Sequence, residues 1–135
     1  MTEPRLDGLL AATDVLGDRW SLPVVVAISD GSRRFSDLQQ ALPGLAPNVL
    51  SRRLDELERA GVLTSAPYQT RPLRKSYELT VRGADLVPIA QQLSAWGSGG
   101  DGIVHAACGT ALEHRWWCPA CAEVVDDPDD GLVRM

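Results

Sequence analysis

The sequence lacks a long hydrophobic run. Its longest apolar stretch, Leu22 to Ile28, contains Pro23 and is far shorter than the roughly 20 residues that a membrane-spanning helix needs. The N-terminus carries Glu3 and Asp7 and does not have the charged-then-apolar pattern of a signal peptide. These two absences predict a cytoplasmic protein.

The sequence also has few groups suited to acid–base catalysis. Its two histidines, His105 and His114, both lie near the C-terminus, which leaves the rest of the chain without one. No Ser/His/Asp set, paired carboxylates or phosphate-binding glycine loop occurs at a usable spacing. We therefore predict that the protein is not an enzyme.

An excess of positive charge is likewise missing, because the formal net charge is −5. Neutralising nucleic-acid phosphates requires clustered Lys and Arg, so the total charge alone argues against such a partner. The charge is unevenly distributed, however. Residues 46–82 carry seven cations and four carboxylates, a net +3, whereas residues 101–135 carry two cations and seven carboxylates, a net −5. The basic middle is compatible with a DNA-binding surface or with an ordinary solvated helix face.

The hydrophobic patterns predict a mainly α-helical fold with one β-hairpin, and so an α+β class. Ser36 and Thr80 are placed to cap helices, and Pro43-Gly44 is placed to break one. In chain order the predicted elements are helices over about 7–17, 21–30, 36–42 and 47–60, strands over 62–68 and 75–79 around a loop at 69–73, and a last helix over 80–96.

Two helices joined by a tight turn and followed by a hairpin have the order of a winged helix-turn-helix. In that fold the second helix enters the major groove and the hairpin, or wing, contacts backbone or minor groove. On the second helix Arg52 suits guanine, Asn48 suits adenine, and Ser51 and Arg53 suit phosphates. The predicted DNA contacts are Asn48, Ser51, Arg52 and Arg53 on the helix and Arg71, Arg74 and Lys75 on the wing.

Several sequence blocks between Asp14 and Gly97 occur in an order that is specific to one family. The blocks are Asp14-Val-Leu-Gly-Asp-Arg-Trp20, Arg34-Phe-Ser-Asp-Leu38, Leu42-Pro-Gly-Leu45, the segment from Leu50 to Leu63, and Tyr77-Glu-Leu-Thr80 followed by Gly83. With these blocks the chain resembles the HxlR-type regulators, relatives of the MarR-like winged-helix proteins. The resemblance implies a homodimer paired through its N- and C-terminal helices, a palindromic operator, and control of transcription, most often repression.

The chain departs from the resembled family in one respect. Several members carry a redox-reactive cysteine just before the first helix, whereas residues 7–10 contain none, so thiol sensing by that route is not expected. A small apolar effector, as dimeric winged-helix proteins of this sort can hold, would be expected at the junction of the first helix, Trp20 and the last helix. Trp20 and Trp96 are themselves expected to be packing residues.

All three cysteines lie in the C-terminal tail, as His105-x-x-Cys108 and Cys118-x-x-Cys121. Two such pairs match a tetrahedral structural zinc site. A segment of about 30 residues is too small to form a stable hydrophobic core and needs a metal ion or a disulfide to hold its fold. The sequence therefore predicts a zinc-ribbon-like appendage that holds one zinc ion per chain through these four residues. His114 is an alternative fourth ligand. The plainest alternative is three free thiols in a reducing cytosol.

Two other functions of the tail compete with a structural zinc site. Trp117-Cys118-Pro119-Ala120-Cys121 resembles the Trp-Cys-x-x-Cys of thioredoxin-like oxidoreductases, so thiol–disulfide exchange is the alternative function. A redox or metal sensor is a third interpretation. The predicted organisation is a DNA-binding and dimerisation domain (1–97), a Gly/Ser linker (98–100), a zinc-binding module (101–125) and an acidic tail (126–135).

Overall fold

The computed structural model has the element order of a winged helix-turn-helix. It describes residues 4–100, 102–113 and 115–125, without the side chains of Pro4 and Arg5, so His114 and the predicted acidic tail lie outside the described residues. The elements are α1 (Pro4–Leu16), α2 (Ser21–Ser29), α3 (Phe35–Ala41), α4 (Pro47–Arg59), β1 (Leu63–Thr70), β2 (Leu73–Leu79), α5 (Val81–Ala84), α6 (Leu86–Ser98), β3 (Trp116–Cys118) and β4 (Glu123–Val125).

The helix-turn-helix consists of α3 and α4. The predicted cap at Ser36 is wrong, because α3 already begins at Phe35, where the side chain of Asp37 accepts a hydrogen bond from the Arg34 amide at 3.3 Å. Helix α4 begins at Pro47, whose missing N–H costs nothing in the first turn. It is stopped by Gly61, which has a φ of +73° that other residues rarely adopt.

One face of each of α2, α3 and α4 builds the core. Val24 and Val25 of α2, Leu38 of α3, and Leu50 and Leu54 of α4 are almost completely buried. Burying a leucine or valine side chain stabilises a fold by about 1.5–3 kcal/mol. This shared core fixes α4 against α2 and α3, and so decides which face of α4 is left for a partner.

The wing is an antiparallel hairpin whose strands are longer than predicted. Strands β1 and β2 pair from Leu63↔Leu79 to Thr70↔Leu73, with an irregularity between Pro67 and Gln69. The turn therefore shrinks from the predicted 69–73 to two residues. The backbone just before α3 joins the base of the hairpin, because the Tyr77 amide donates to the carbonyl of Arg33 at 2.8 Å.

The predicted last helix is divided in two. Thr80 caps α5 as predicted, its hydroxyl oxygen accepting from the Gly83 amide at 3.1 Å, but α5 ends at Ala84 and α6 starts at Leu86. Ala90 of α6 is buried, whereas Trp96, which was expected to pack, is 83% exposed. Trp20, by contrast, packs against the core as predicted. Among the described residues no helix is long and apolar enough to cross a membrane.

The tail after α6 forms two small hairpins. In the first, Val104 pairs with Ala111, and in the second, β3 pairs with β4. Nearly every described residue after Gly100 is exposed. The tail therefore has hydrogen-bonded turns but no core of its own.

Candidate nucleic-acid interface

The outward face of α4 carries three of the predicted contacts. Asn48, Ser51 and Arg52 are exposed, while Leu50 and Leu54 on the opposite face are buried. The side chain of Arg52 has no hydrogen bond or ion pair with any other described residue. This face is therefore free to meet a ligand, as the spacing of the leucines predicts.

Arg53 is placed differently from its neighbour Arg52. Its guanidinium lies 2.6 Å from a carboxylate oxygen of Glu56 and 3.4 Å from one of Asp18, and its side chain is only 19% exposed. The ion pair with Asp18 ties α4 to the segment before α2, whereas the pair with Glu56 lies within α4. In this conformation the charge of Arg53 is paired with carboxylates of the protein, so a phosphate contact would require the side chain to leave both of them.

Asp18 is the anchor for this connection. Its carboxylate accepts hydrogen bonds from the amides of Trp20 at 2.8 Å and Ser21 at 3.0 Å, and from the Ser21 hydroxyl. Burial opposes ionisation, but the hydrogen bonds from Ser21 and Trp20 and the charge of Arg53 outweigh it and hold the pKa of Asp18 below its ordinary value of 3.8. Asp18 is thus ionised at neutral pH and fixes the start of α2.

A cleft of about 530 Å³ separates α4 from the wing. Ser51 lines it from α4, and Arg74 and Lys75 line it from β2, so the fold brings together three of the seven predicted contacts. Asn48 and Arg52 lie outside the lining, farther along the exposed face of α4. Arg71 is exposed at the turn of the wing.

The same cleft contains residues that were not predicted as contacts. Gln39 of α3, Asp55 of α4 and Tyr68 of β1 line it, and the guanidinium of Arg34 lies 4.6 Å from the centre of the Tyr68 ring. Asp55 follows Ser51 by one helical turn, a spacing that does place it on the same face. Gln39 and Tyr68 had no comparable signal, because their position depends on how α3 and the wing pack.

The predicted metal ligands form two separate pairs. Nδ1 of His105 lies 3.4 Å from Sγ of Cys108, and the thiols of Cys118 and Cys121 share a hydrogen bond. Among the described residues no group of three or more His, Cys, Asp or Glu side chains is placed to hold a metal ion. The tail as described is therefore two donor pairs on two hairpins, and the zinc ribbon stays a prediction.

Hydrogen bonds set the acidity of these thiols. The backbone amide of Cys121 donates to Cys118 Sγ, as do the Cys121 thiol and the Ala120 amide, and they lower the pKa of Cys118 from 9.0. Donating to Cys118 raises the pKa of Cys121. Hydrogen bonds with the hydroxyl of Thr110 and, to a smaller extent, with its backbone amide lower the pKa of Cys108 from 9.0. Cys118 is thus the more acidic thiol of its pair.

Two cavities lie near the region predicted for an effector. One, an open pocket of about 840 Å³, is lined by α2, the end of α3 and α6, with Ile103 of the tail at its edge. A smaller one, of about 240 Å³, lies between α1 and the start of α6. Trp20 lines neither, so the predicted site at the junction of α1, Trp20 and α6 is not a single cavity.

An exposed polar helix face beside a cationic hairpin, both fixed to one helical core, defines a winged helix-turn-helix protein, a class that binds DNA. The family model for HxlR-like helix-turn-helix proteins matches residues 15–100, and the chain belongs to this family. Its members are transcriptional regulators, which confirms that the chain is not an enzyme.

Two proteins of Bacillus subtilis (strain 168) illustrate the likeness. The chain is 42% identical over 85 residues to the HTH-type transcriptional regulator YvaP, covering 63% of this chain and 79% of the relative. It is 29% identical over 86 residues to the HTH-type transcriptional regulator YodB, covering 64% and 77%. YodB has also been solved in its reduced form, which matches with a TM-score of 0.58 at 28% identity and covers 73% of this chain and 93% of YodB.

Solved structures also cover more of the chain than the family model does. PA1607 matches with a TM-score of 0.68 at 26% identity, covering 91% of both chains. PA1374 from Pseudomonas aeruginosa matches with a TM-score of 0.67 at 28% identity, covering 90% of this chain and 93% of its own. Matches of this extent include part of the tail as well as the winged helix-turn-helix.

Proposed function

We propose that this regulator binds a palindromic operator as a homodimer and represses transcription there. The observation that carries the proposal is the cleft between α4 and the wing, where Ser51 faces Arg74 and Lys75. A groove with a polar helix on one side and cations on the other suits a duplex whose bases meet the helix and whose phosphates meet the hairpin. In this cleft the cations Arg74 and Lys75 outnumber the carboxylate Asp55, and they provide local positive charge that the acidic chain as a whole lacks.

The proposed contacts divide into two roles. Arg52 and Asn48, exposed near the start of α4, contact base edges in the major groove, Arg52 at guanine and Asn48 at adenine. Ser51, Arg71, Arg74 and Lys75 contact phosphates. Arg53 acts first through its ion pairs, by orienting α4, and we assign it a phosphate contact only if DNA draws it away from them.

The proposed dimer uses α1 and α6. Each exposes a row of large apolar side chains, which soluble proteins seldom leave bare in such number. On α1 these are Leu6, Leu9 and Leu10, and on α6 they are Ile89, Leu93 and Trp96, between 47% and 83% exposed. Pairing the two helices with those of a second copy buries these side chains and repeats the recognition helix about a two-fold axis, as a palindrome requires.

The larger cavity is the proposed site of a small apolar effector. Its lining is mainly aliphatic, with Leu22 and Val26 of α2, Leu42 after α3, and Leu93 of α6. Because α6 also carries the proposed dimer surface, a ligand there would act on the spacing of the two recognition helices.

Thiol–disulfide exchange is the second candidate function. The lowered pKa of Cys118 beside Cys121 favours it. In oxidoreductases, however, the first cysteine opens a helix whose dipole stabilises its thiolate, whereas here residues 119–122 form a turn that leads into the three-residue strand β4. Turnover of a protein disulfide by the purified chain with dithiothreitol as the reductant, abolished by Cys118→Ser, would establish this candidate.

Selection of random duplex DNA with the purified full chain tests the proposed function. We expect enrichment of a two-fold symmetric sequence with half-sites about one helical turn apart, bound by two chains. A fluorescence anisotropy titration then measures affinity for that duplex and for one with a scrambled half-site. The specific site should bind at least about a thousandfold more tightly than unrelated DNA.

The recognition face is checked in the same titration with Arg52→Met and with Glu58→Gln as a matched control. Glu58 is on the same helix, but its carboxylate faces β1, where it accepts a hydrogen bond from Ser65 at 2.7 Å. Selection that enriches no sequence, or an asymmetric site bound by one chain, contradicts the proposal. Unchanged operator affinity in Arg52→Met would place the interface elsewhere, and equal loss in both variants would show that the effect is not specific to this face.

A further inference from the structure

The two turns that carry the tail's donor pairs have the same shape. Each pair occupies the first and fourth positions of its turn, and the residue after the second donor is left-handed in both, with φ +69° at Gly109 and +54° at Ala122. Alanine adopts this conformation only at a cost of about 1 kcal/mol. Because both turns have the same donor spacing and a left-handed residue at the same position, the second without a glycine, we expect the four donors to act together.

The spacing of donors in the first turn suits a single metal ion. The turn is closed by hydrogen bonds from the amides of Cys108 and Gly109 to the His105 carbonyl, at 3.2 and 2.7 Å. This leaves Nδ1 of His105 3.4 Å from Sγ of Cys108. Nitrogen and sulfur ligands of one tetrahedral zinc ion lie about 3.6 Å apart, so the pair needs almost no adjustment.

The second turn directs backbone N–H groups at a sulfur atom. The amides of Cys121 and Ala120 both donate to Sγ of Cys118, just as the Thr110 amide donates to Sγ of Cys108 in the first turn. Amide donors stabilise a thiolate, which is the form that binds a metal. Each hairpin thus brings backbone amide donors near a sulfur atom.

Among the described residues after Gly100 none is buried, so the two hairpins share no hydrophobic core. Val104 of the first hairpin and Trp116, Trp117 and Val124 of the second are each about half exposed or more. A segment this small has no core to fix its fold without a disulfide or a metal. The stretch between the donor pairs, residues 109–117, is long enough to let the two turns meet.

We propose that one zinc ion joins the two turns through His105, Cys108, Cys118 and Cys121 and folds the tail into a single module. Neutral His105 and three thiolates bind the ion, and the three thiol protons are released to solvent. The donor set of three sulfurs and one nitrogen favours zinc among the common divalent metals. Because no three donors meet among the described residues, metal binding and folding of the tail are one event. This site is separate from the DNA-binding face and does not depend on it.

Two measurements on the full chain test the proposal. Native mass spectrometry of protein purified with neither metal nor chelator should find one zinc ion per chain. After chelation, titration with cobalt(II) under reducing conditions should produce the charge-transfer absorption of a tetrahedral site with three thiolates, saturating at one equivalent. Cobalt binding should release the three thiol protons, and zinc should then displace the cobalt with no further proton release. Neither readout involves DNA.

Variants distinguish one shared site from two separate pairs. Cys108→Ser and Cys118→Ser, one in each turn, should each weaken cobalt binding at least about a hundredfold, and His105→Gln should do the same. Glu123→Gln, an exposed tail carboxylate next to the second turn, is the matched control and should bind as the parent does. Thermal melting of α1–α6 is measured in parallel and should not change.

Several outcomes would overturn the proposal. Zinc-free protein that also gives no thiolate–cobalt absorption excludes the site. Cobalt binding to Cys118 and Cys121 that survives Cys108→Ser shows two independent pairs instead of one ion. Unchanged binding by His105→Gln removes His105 from the ligand set.

Discussion

Arg52 and Arg53 are adjacent in the sequence, but removal of their charges should have different effects: loss of operator affinity at Arg52 and loss of stability at Arg53. We replace each in turn with Met, which keeps an unbranched stem and a high helix propensity. Arg52 is exposed and makes no hydrogen bond or ion pair with another described residue, so Arg52→Met should leave stability unchanged. Its lost contact costs about 1–3 kcal/mol in each half-site, and a symmetric operator doubles that loss to roughly 2–6 kcal/mol.

Arg53→Met should instead destabilise the fold. A hydrogen bond to a charged group contributes about 1.5–3 kcal/mol, and the 42% exposure of Glu56 discounts that partner. We therefore expect a loss of about 1–2 kcal/mol in the free energy of unfolding at pH 7. The effect should depend on pH through Asp18. Because folding lowers the pKa of Asp18, its stabilisation is present above pH 3.8 and is lost as the pH falls through the lower folded value. The deficit of Arg53→Met should shrink accordingly in strong acid.

Urea unfolding at one protein concentration measures the free energy of unfolding of each variant. Anisotropy titration at a temperature where both variants are folded measures their affinity for the operator. Equal destabilisation by the two variants would refute the distinction drawn from their contacts. So would an Arg53→Met protein of normal stability that has lost the operator, since Arg53 would then be a DNA contact first.

Three further predictions concern the wing, the helix junction and the dimer. Lys75→Ala should weaken binding to all duplexes about equally and reduce the slope of log affinity against log salt by about one unit per subunit. A loss of affinity confined to one sequence would contradict a phosphate contact. Gly83→Ala should destabilise the fold by about 1–3 kcal/mol or more in thermal melting, because its Cβ would overlap a backbone carbonyl, whereas Gly97→Ala meets open space and should not. Trp96→Glu should give a folded monomer in sedimentation equilibrium, whereas Val81→Glu, at a residue exposed to the same extent on α5, should remain dimeric. If both variants are dimeric, α6 is excluded from the interface.

The helix-turn-helix was predictable because its signals are local. Leucines at helical spacing, Pro47 at one end and Gly61 at the other define α4 without reference to the rest of the chain. The same spacing determines that Asn48 and Arg52 point away from the core. Sequence blocks of the family added the likeness to HxlR-type regulators, which the family comparison confirms.

Contacts between distant segments were not predictable in this way. Nothing near Arg53 distinguishes it from Arg52, and its role depends on Asp18, 35 residues earlier, which is brought within 3.4 Å when α2 packs on α4. The cleft between Ser51 and Lys75, and the presence of Gln39 and Tyr68 in it, likewise depend on packing.

The sequence by itself determined the order of elements, the outward face of α4 and the spacing of the four Cys/His donors, because helical and turn periodicity are properties of neighbouring residues. The tertiary structure alone decided which arginine is held in ion pairs and how the wing faces the recognition helix. Those outcomes depend on distances and burial between segments far apart in the chain, and only packing sets them.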